Sequence, residues 1–420
     1  MTRHSQFQAG RKPLGHHGLQ LKEVHVTGPL RFFNPTSARY APISHQAREA
    51  NAKPTNETHA KPQVERLWRS RDNRKGRHAL RVNTKISPEE TGFIAPPLTR
   101  SASAIAKGII RMFSYAPYWD VSYLVATIFT LGSAVWIINA FFSWLPLQDP
   151  KTEFHGESLV GGGVTAFIGA TIFEFGSVLL LLEAINANHT GCFGWALETV
   201  LLKSSDEDGH QQAMTEVRPT LSECEHHHAN RRSFLRGKRI HIDESARSLA
   251  DATGYVTSSP DGRSFRWFPS MSELRSHYLH ELGFLASFVQ FMSASIFWIA
   301  GFTALPGIAN HMSQGLTDGV FWTPQIVGGS GFILSGLLFT LETQPKWYIP
   351  AWHVLGWHIG FWNFIGGIGF TLCGALGPAS SNSGVEYQSA LATFWGSWAF
   401  MIGSTIQWYE SLQKHPVEKK

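Results

Sequence analysis

Residues 160–182 read VGGGVTAFIGATIFEFGSVLLLL, an apolar run with a single ionisable side chain, Glu174. A globular core has no use for such a run. A helix needs about 20 apolar residues to cross roughly 30 Å of hydrocarbon, and this one suffices. Five further stretches have the same character: 119–145, 282–305, 323–341, 354–376 and 388–409. They lack the two-residue alternation of a membrane barrel, so helices are the reading. Aromatic residues that favour the headgroup layer, such as Trp119, Trp144, Trp322, Tyr348 and Trp408, stand at many of the ends.

Whole-chain averages conceal this pattern. The chain has 420 residues, 36 Lys+Arg against 31 Asp+Glu, a mean hydropathy of −0.10 and a pI near 9.1, values typical of a soluble protein. The charge, however, is concentrated in residues 1–117 and 184–281. The basic balance therefore belongs to the polar segments of a membrane protein and does not indicate a nucleic-acid partner.

Lys and Arg also set the orientation. Segments 1–117, 183–281, 342–353 and the C-terminal tail hold 35 of them; loops 146–159, 306–322 and 377–387 hold only Lys151. The positive-inside bias places both termini in the cytosol, in a plasma membrane or endomembrane. The first long apolar run begins near residue 118, and no secretory signal is expected before it. The organisation that follows is a mostly disordered basic segment at 1–117, hairpins at 118–183, 282–342 and 354–413, a partly helical loop at 184–281, and a tail at 414–420.

Two basic clusters, Arg66–Arg81 and Arg231–Arg239, could attract anionic lipid headgroups at about 1 kcal/mol per residue near the surface. Phe193–Lys203 reads as an interfacial helix, with Cys192 a weak palmitoylation signal. His226-His227-His228 reads as solvated loop, because three adjacent histidines cannot all face one ion. Met271–Glu281 reads as a helix capped by Ser270 or Ser272.

The three hairpins repeat one another. Glutamates Glu183, Glu342 and Glu410 close the second helix of each. Fourteen residues before them stand Gly169, Gly328 and Gly396, and ten before stand Phe173, Phe332 and Phe400. In the first helices, Gly132-Ser133, Ala294-Ser295 and Gly366-Gly367 precede Trp136, Trp298 and Phe370. Small residues on one helical face let backbones approach closely, which drives association inside lipid. The fold expected is an all-α membrane protein, a six-helix bundle of three parallel two-helix repeats.

The stretches GFWNFIGGIGFTLCG, from Gly360 to Gly374, and FWGSWAFMIGS, from Phe394 to Ser404, resemble the YrhK-like two-helix membrane domain. The first two hairpins match it less well. The whole chain is similar to fungal multi-pass membrane proteins with long polar N-termini. The resemblance implies a fold unit and no activity.

Few residues carry chemistry. Glu174 lies deep in a span, where a charge costs several kcal/mol and faces the bundle interior. It is either a proton or cation site, or a protonated Glu bonded to a neighbour such as Asn139 or Gln290. His358 and Asn363 suggest a polar pocket on the fifth span. Glu183, Glu342 and Glu410 are expected on the cytosolic rim, paired with cations among Lys346, Arg275, Lys203, Lys414 and His353, or else solvated. No catalytic, metal-binding or cofactor motif stands out. A membrane scaffold or interaction protein is the first functional expectation, and a transporter or channel using Glu174 and His358 the second.

Overall fold

The computed structural model describes residues 19–21, 25–42, 64–82, 98–187, 190–193 and 265–419. They belong to two units. One comprises Met1–Asp120, Asn186–Arg266 and Leu412–Lys420; the other comprises Val121–Ile185 and Trp267–Ser411.

The first unit is built on a sheet with strand order β1-β2-β3-β4-β5. Its strands are β1 (Leu19–Leu21), β2 (Ser37–Pro42), β3 (Val64–Arg69), β4 (Ala79–Val82) and β5 (Val417–Lys419). The first four pair antiparallel, while β5 joins β4 in parallel, Leu80 opposite Val417. A short helix, α1 (Ser70–Arg74), follows β3, and a longer one, α2 (Ala102–Ser114), precedes the second unit in sequence. Its apolar core is small, with Ala38, Tyr40 and Trp68 buried together.

This unit bears on two expectations. The described parts of the N-terminal segment form strands and helices, where the sequence shows no sustained period. Within the tail expected at 414–420, Val417–Lys419 form a strand of the sheet. The disorder expected for the remaining N-terminal positions, residues 194–203, the side chain of Cys192, the His226–His228 tract and the Arg231–Arg239 cluster all lie outside the described residues.

The second unit is helical, with α3 (Val121–Gln148), α4 (Glu157–Ile185), α5 (Met271–Ser276), α6 (Leu282–Thr303), α7 (Gln314–Glu342), α8 (Leu355–Ala379) and α9 (Ser383–Ser411). Helix α5 starts on a capping box: Ser270 accepts from the Glu273 N–H while Glu273 reaches back to the Ser270 N–H. Helices α4 and α7 open with a wider π turn, over Glu157–Gly162 and Asp318–Trp322.

Among the described residues five helices, α3, α4, α6, α7 and α8, are long and apolar enough to cross a membrane. The sixth expected span corresponds to α9, which has 29 residues but carries Ser, Gly, Trp and Gln along its length and falls short in hydropathy. The six long helices close a ring: α3 packs on α4, α4 on α6, α6 on α7, α7 on α8, α8 on α9, and α9 on α3.

Candidate functional site

Each helix of the ring sends one aromatic side chain into a common buried cluster: Trp136, Phe173, Phe297, Phe332, Phe370 and Phe400. Ring centroids lie 4.9 Å apart for Trp136 and Phe370, 5.6 Å for Trp136 and Phe297, and 5.4 Å for Phe370 and Phe400. Most of these contacts are edge-to-face, the geometry that the aromatic quadrupole favours. The middle of the ring is therefore filled by side chains.

Glycines make room for them. A Cβ at Gly169 would stand 2.9 Å from the Trp136 ring, one at Gly328 2.7 Å from Phe297, and one at Gly396 3.3 Å from Phe370. In the reverse direction, a Cβ at Gly132 would come within 2.6 Å of Phe173, and one at Gly366 within 2.8 Å of Phe400. One sequence assignment shifts by a residue. In α6 the core aromatic is Phe297, whereas Trp298 is only partly buried and packs beside the cluster. The Trp298 indole donates to Thr171 Oγ1 at 3.0 Å, which draws that ring toward α4.

Glu174 sits on α4 beside α6 and is half-buried. Its Oε1 accepts from Ser295 Oγ at 2.9 Å, and Ser177 Oγ lies 3.5 Å from Oε2 while donating to the Glu174 carbonyl at 2.8 Å. Asn139, one of the expected neighbours, instead donates to the Gly162 carbonyl at 2.7 Å and to Thr165 Oγ1 at 3.1 Å. His358 Nε2 lies 2.8 Å from the Trp352 carbonyl oxygen, and Asn363 donates to Ile359 O at 2.9 Å in its own helix. Glu174 on α4 and the His358–Asn363 pair on α8 thus belong to helices opposite one another in the ring.

The three repeat-matched glutamates behave alike. Glu183, Glu342 and Glu410 are 0%, 2% and 1% exposed, which overturns the solvated reading of these side chains. Of the cations expected near them, Lys346 lies 5.8 Å over the Tyr348 ring, Lys414 pairs with Asp120, and Arg275 is exposed. Lys203 is outside the described residues.

In the sheet unit the basic run from Arg66 is largely interior. Arg66, Arg71, Arg74, Lys75 and Arg77 are buried. Arg77 meets Asp72 at 2.6 Å, and Arg69 grips Glu418 with two bonds of 2.8 and 2.9 Å. Burial pulls the Arg69 guanidinium down, but Asp72 and Glu418 outweigh it and hold it above its ordinary value. Burial pushes the Tyr40 hydroxyl up to about 12, with Arg66 opposing. The buried part of the run is thus the polar core of a folded unit and not a solvated strip. Of these partners Asp72 is local, whereas Glu418 is 349 residues from Arg69 and could not be paired with it from the sequence.

Among the described residues no cluster of His, Cys, Asp and Glu could hold a metal ion. Comparison of the chain with protein-family profiles, with curated proteins and with solved structures returns no match.

Proposed function

We propose that the protein is a multi-pass membrane scaffold, a six-span bundle of three parallel two-helix repeats with both termini in the cytosol. The observation that carries this reading is the aromatic cluster, one ring from each of six helices, in the middle of the bundle. A transporter needs a polar path there, and this position holds Trp136 and five phenylalanines. The recurrence of Gly169–Trp136, Gly328–Phe297 and Gly396–Phe370 at one place in each hairpin supports the repeat. So does the matched burial of Glu183, Glu342 and Glu410. The transporter reading relies on Glu174 and His358, and they stand on opposite helices.

Cys373 tests the proposal without a new probe. It is buried on α8, with its sulfur 3.4 Å from Ser389 Oγ. In proteoliposomes of a Cys192→Ser, Cys224→Ser chain, Cys373 should stay unreactive to an impermeant maleimide from either side. Imposed proton or potassium gradients should change nothing, and no dye-detected flux should exceed that of empty vesicles. Gradient-dependent labelling, or a flux abolished by Glu174→Gln, would favour the transporter.

A further inference from the structure

We propose that α2 is an interfacial helix that lies in the headgroup layer with its apolar face in the bilayer. The inference requires that α3 cross a membrane, and it stands independently of the scaffold reading. Ser101 caps α2 by accepting from the Ala104 N–H at 3.2 Å, so the helix has a defined start. At about 100° per residue, Ile105, Ile109, Phe113 and Ile110 fall on one arc of roughly 140°. They are 42%, 48%, 72% and 65% exposed, and Met112 is the only buried residue of the helix. Lys107 and Arg111, one turn apart, occupy the opposite arc, and the helix contains no Asp or Glu.

A contiguous face of large apolar side chains is seldom left in water, so something covers it. Chain length points to the bilayer. Only residues 115–120 separate Ser114 from Val121, where α3 begins. Six residues reach at most about 20 Å, so α2 cannot leave the neighbourhood of that span. The connection carries the half-buried Tyr115 and the exposed Tyr118, rings of a type that favours the headgroup layer. The Arg111 guanidinium lies 4.8 Å over the Tyr115 ring, on the cationic side of the helix. An apolar face beside a cationic one matches acyl chains below and phosphates above.

Nitroxide accessibility in the full chain tests this. In a background with Cys192, Cys224 and Cys373 replaced by Ala, spin labels are placed singly at Lys107→Cys, Ile110→Cys and Phe113→Cys. All three sites are exposed, so labelling disturbs no core contact. The protein is reconstituted in phosphatidylcholine–phosphatidylserine vesicles, and collisions with oxygen and with a water-soluble nickel chelate are compared. Labels at 110 and 113 should prefer oxygen and the label at 107 the chelate, so that the depth parameter changes sign between the two faces. Chelate preference at all three sites would place α2 in water. Shielding of 110 and 113 from both reagents would mean that a protein surface covers the face. Either result overturns the proposal.

Discussion

Glu342 closes α7 with a side chain 2% exposed, at a helix end where a carboxylate already opposes the macrodipole by about 0.3–1 kcal/mol. Burying a carboxylate costs several kcal/mol more unless its oxygens are satisfied. The same demand for partners arises at Glu183 and Glu410, which are buried near the ends of α4 and α9. Such positions tolerate neutral isosteres better than charge reversal. Glu342→Lys places an ammonium in a buried site occupied by a carboxyl group, and should lose at least about 1–3 kcal/mol, the cost of leaving a buried polar group unsatisfied. Glu342→Gln keeps the shape and one acceptor oxygen, and should lose clearly less. Thermal unfolding of both variants in one fixed detergent measures the difference, and a wild-type Tm for the Lys variant would mean that the side chain reaches water.

Between helices, the unit of structure is the glycine under an aromatic ring. A Cβ on Gly366 of α8 would lie 2.8 Å from three ring atoms of Phe400, which is itself held by Phe173, Phe332 and Phe370. The ring has no room to retreat, so Gly366→Ala should destabilise by about 1–3 kcal/mol, as overpacked cores do. Gly315, in the first turn of α7, has open space around it. There the same change should be neutral or stabilise by about 0.5–1 kcal/mol through helix propensity. Equal Tm shifts for the two variants would remove the steric argument. This element was largely legible in the sequence, since fixed distances from Glu183, Glu342 and Glu410 picked out Gly and Phe positions that the fold buries. The register of α6 was not, because Ser293-Ala294 and Ala294-Ser295 serve equally well as the small pair. The sheet was not legible either. Its strands have only three to six residues, and in β3 Glu65, Arg66, Leu67 and Trp68 are all buried, so no two-residue alternation survives.

Across the whole molecule, the sheet constrains the membrane crossings. Strand β4 ends at Val82 and its partner β5 begins at Val417, and Arg69 bonds Glu418 across a separation of 349 residues. If the apolar helices cross a membrane as proposed, strands of one sheet must be on one side of it, so the proposed crossings between them are even in number. The segment 186–266 belongs to the same unit, and the Thr190 hydroxyl would stand 2.9 Å from a Cβ at Gly76. Crossings are then even on either side of that segment as well. Two apolar helices, α3 and α4, precede it; three, α6, α7 and α8, follow it, and parity asks for a fourth. Helix α9 fits, for several of the residues that lower its hydropathy, among them Ser389, Gly396, Ser397 and Ser404, are buried. Strand β5 can join only after α9 has been made. An epitope tag after Lys420 and another within residues 201–264 should therefore be cleaved by protease from the same face of sealed vesicles. A tag at exposed Lys151, between α3 and α4, should be cleaved only from the other face. A Lys420 tag that shares the Lys151 side would make the crossings odd, and then β5 could not pair with β4 in the assembled protein.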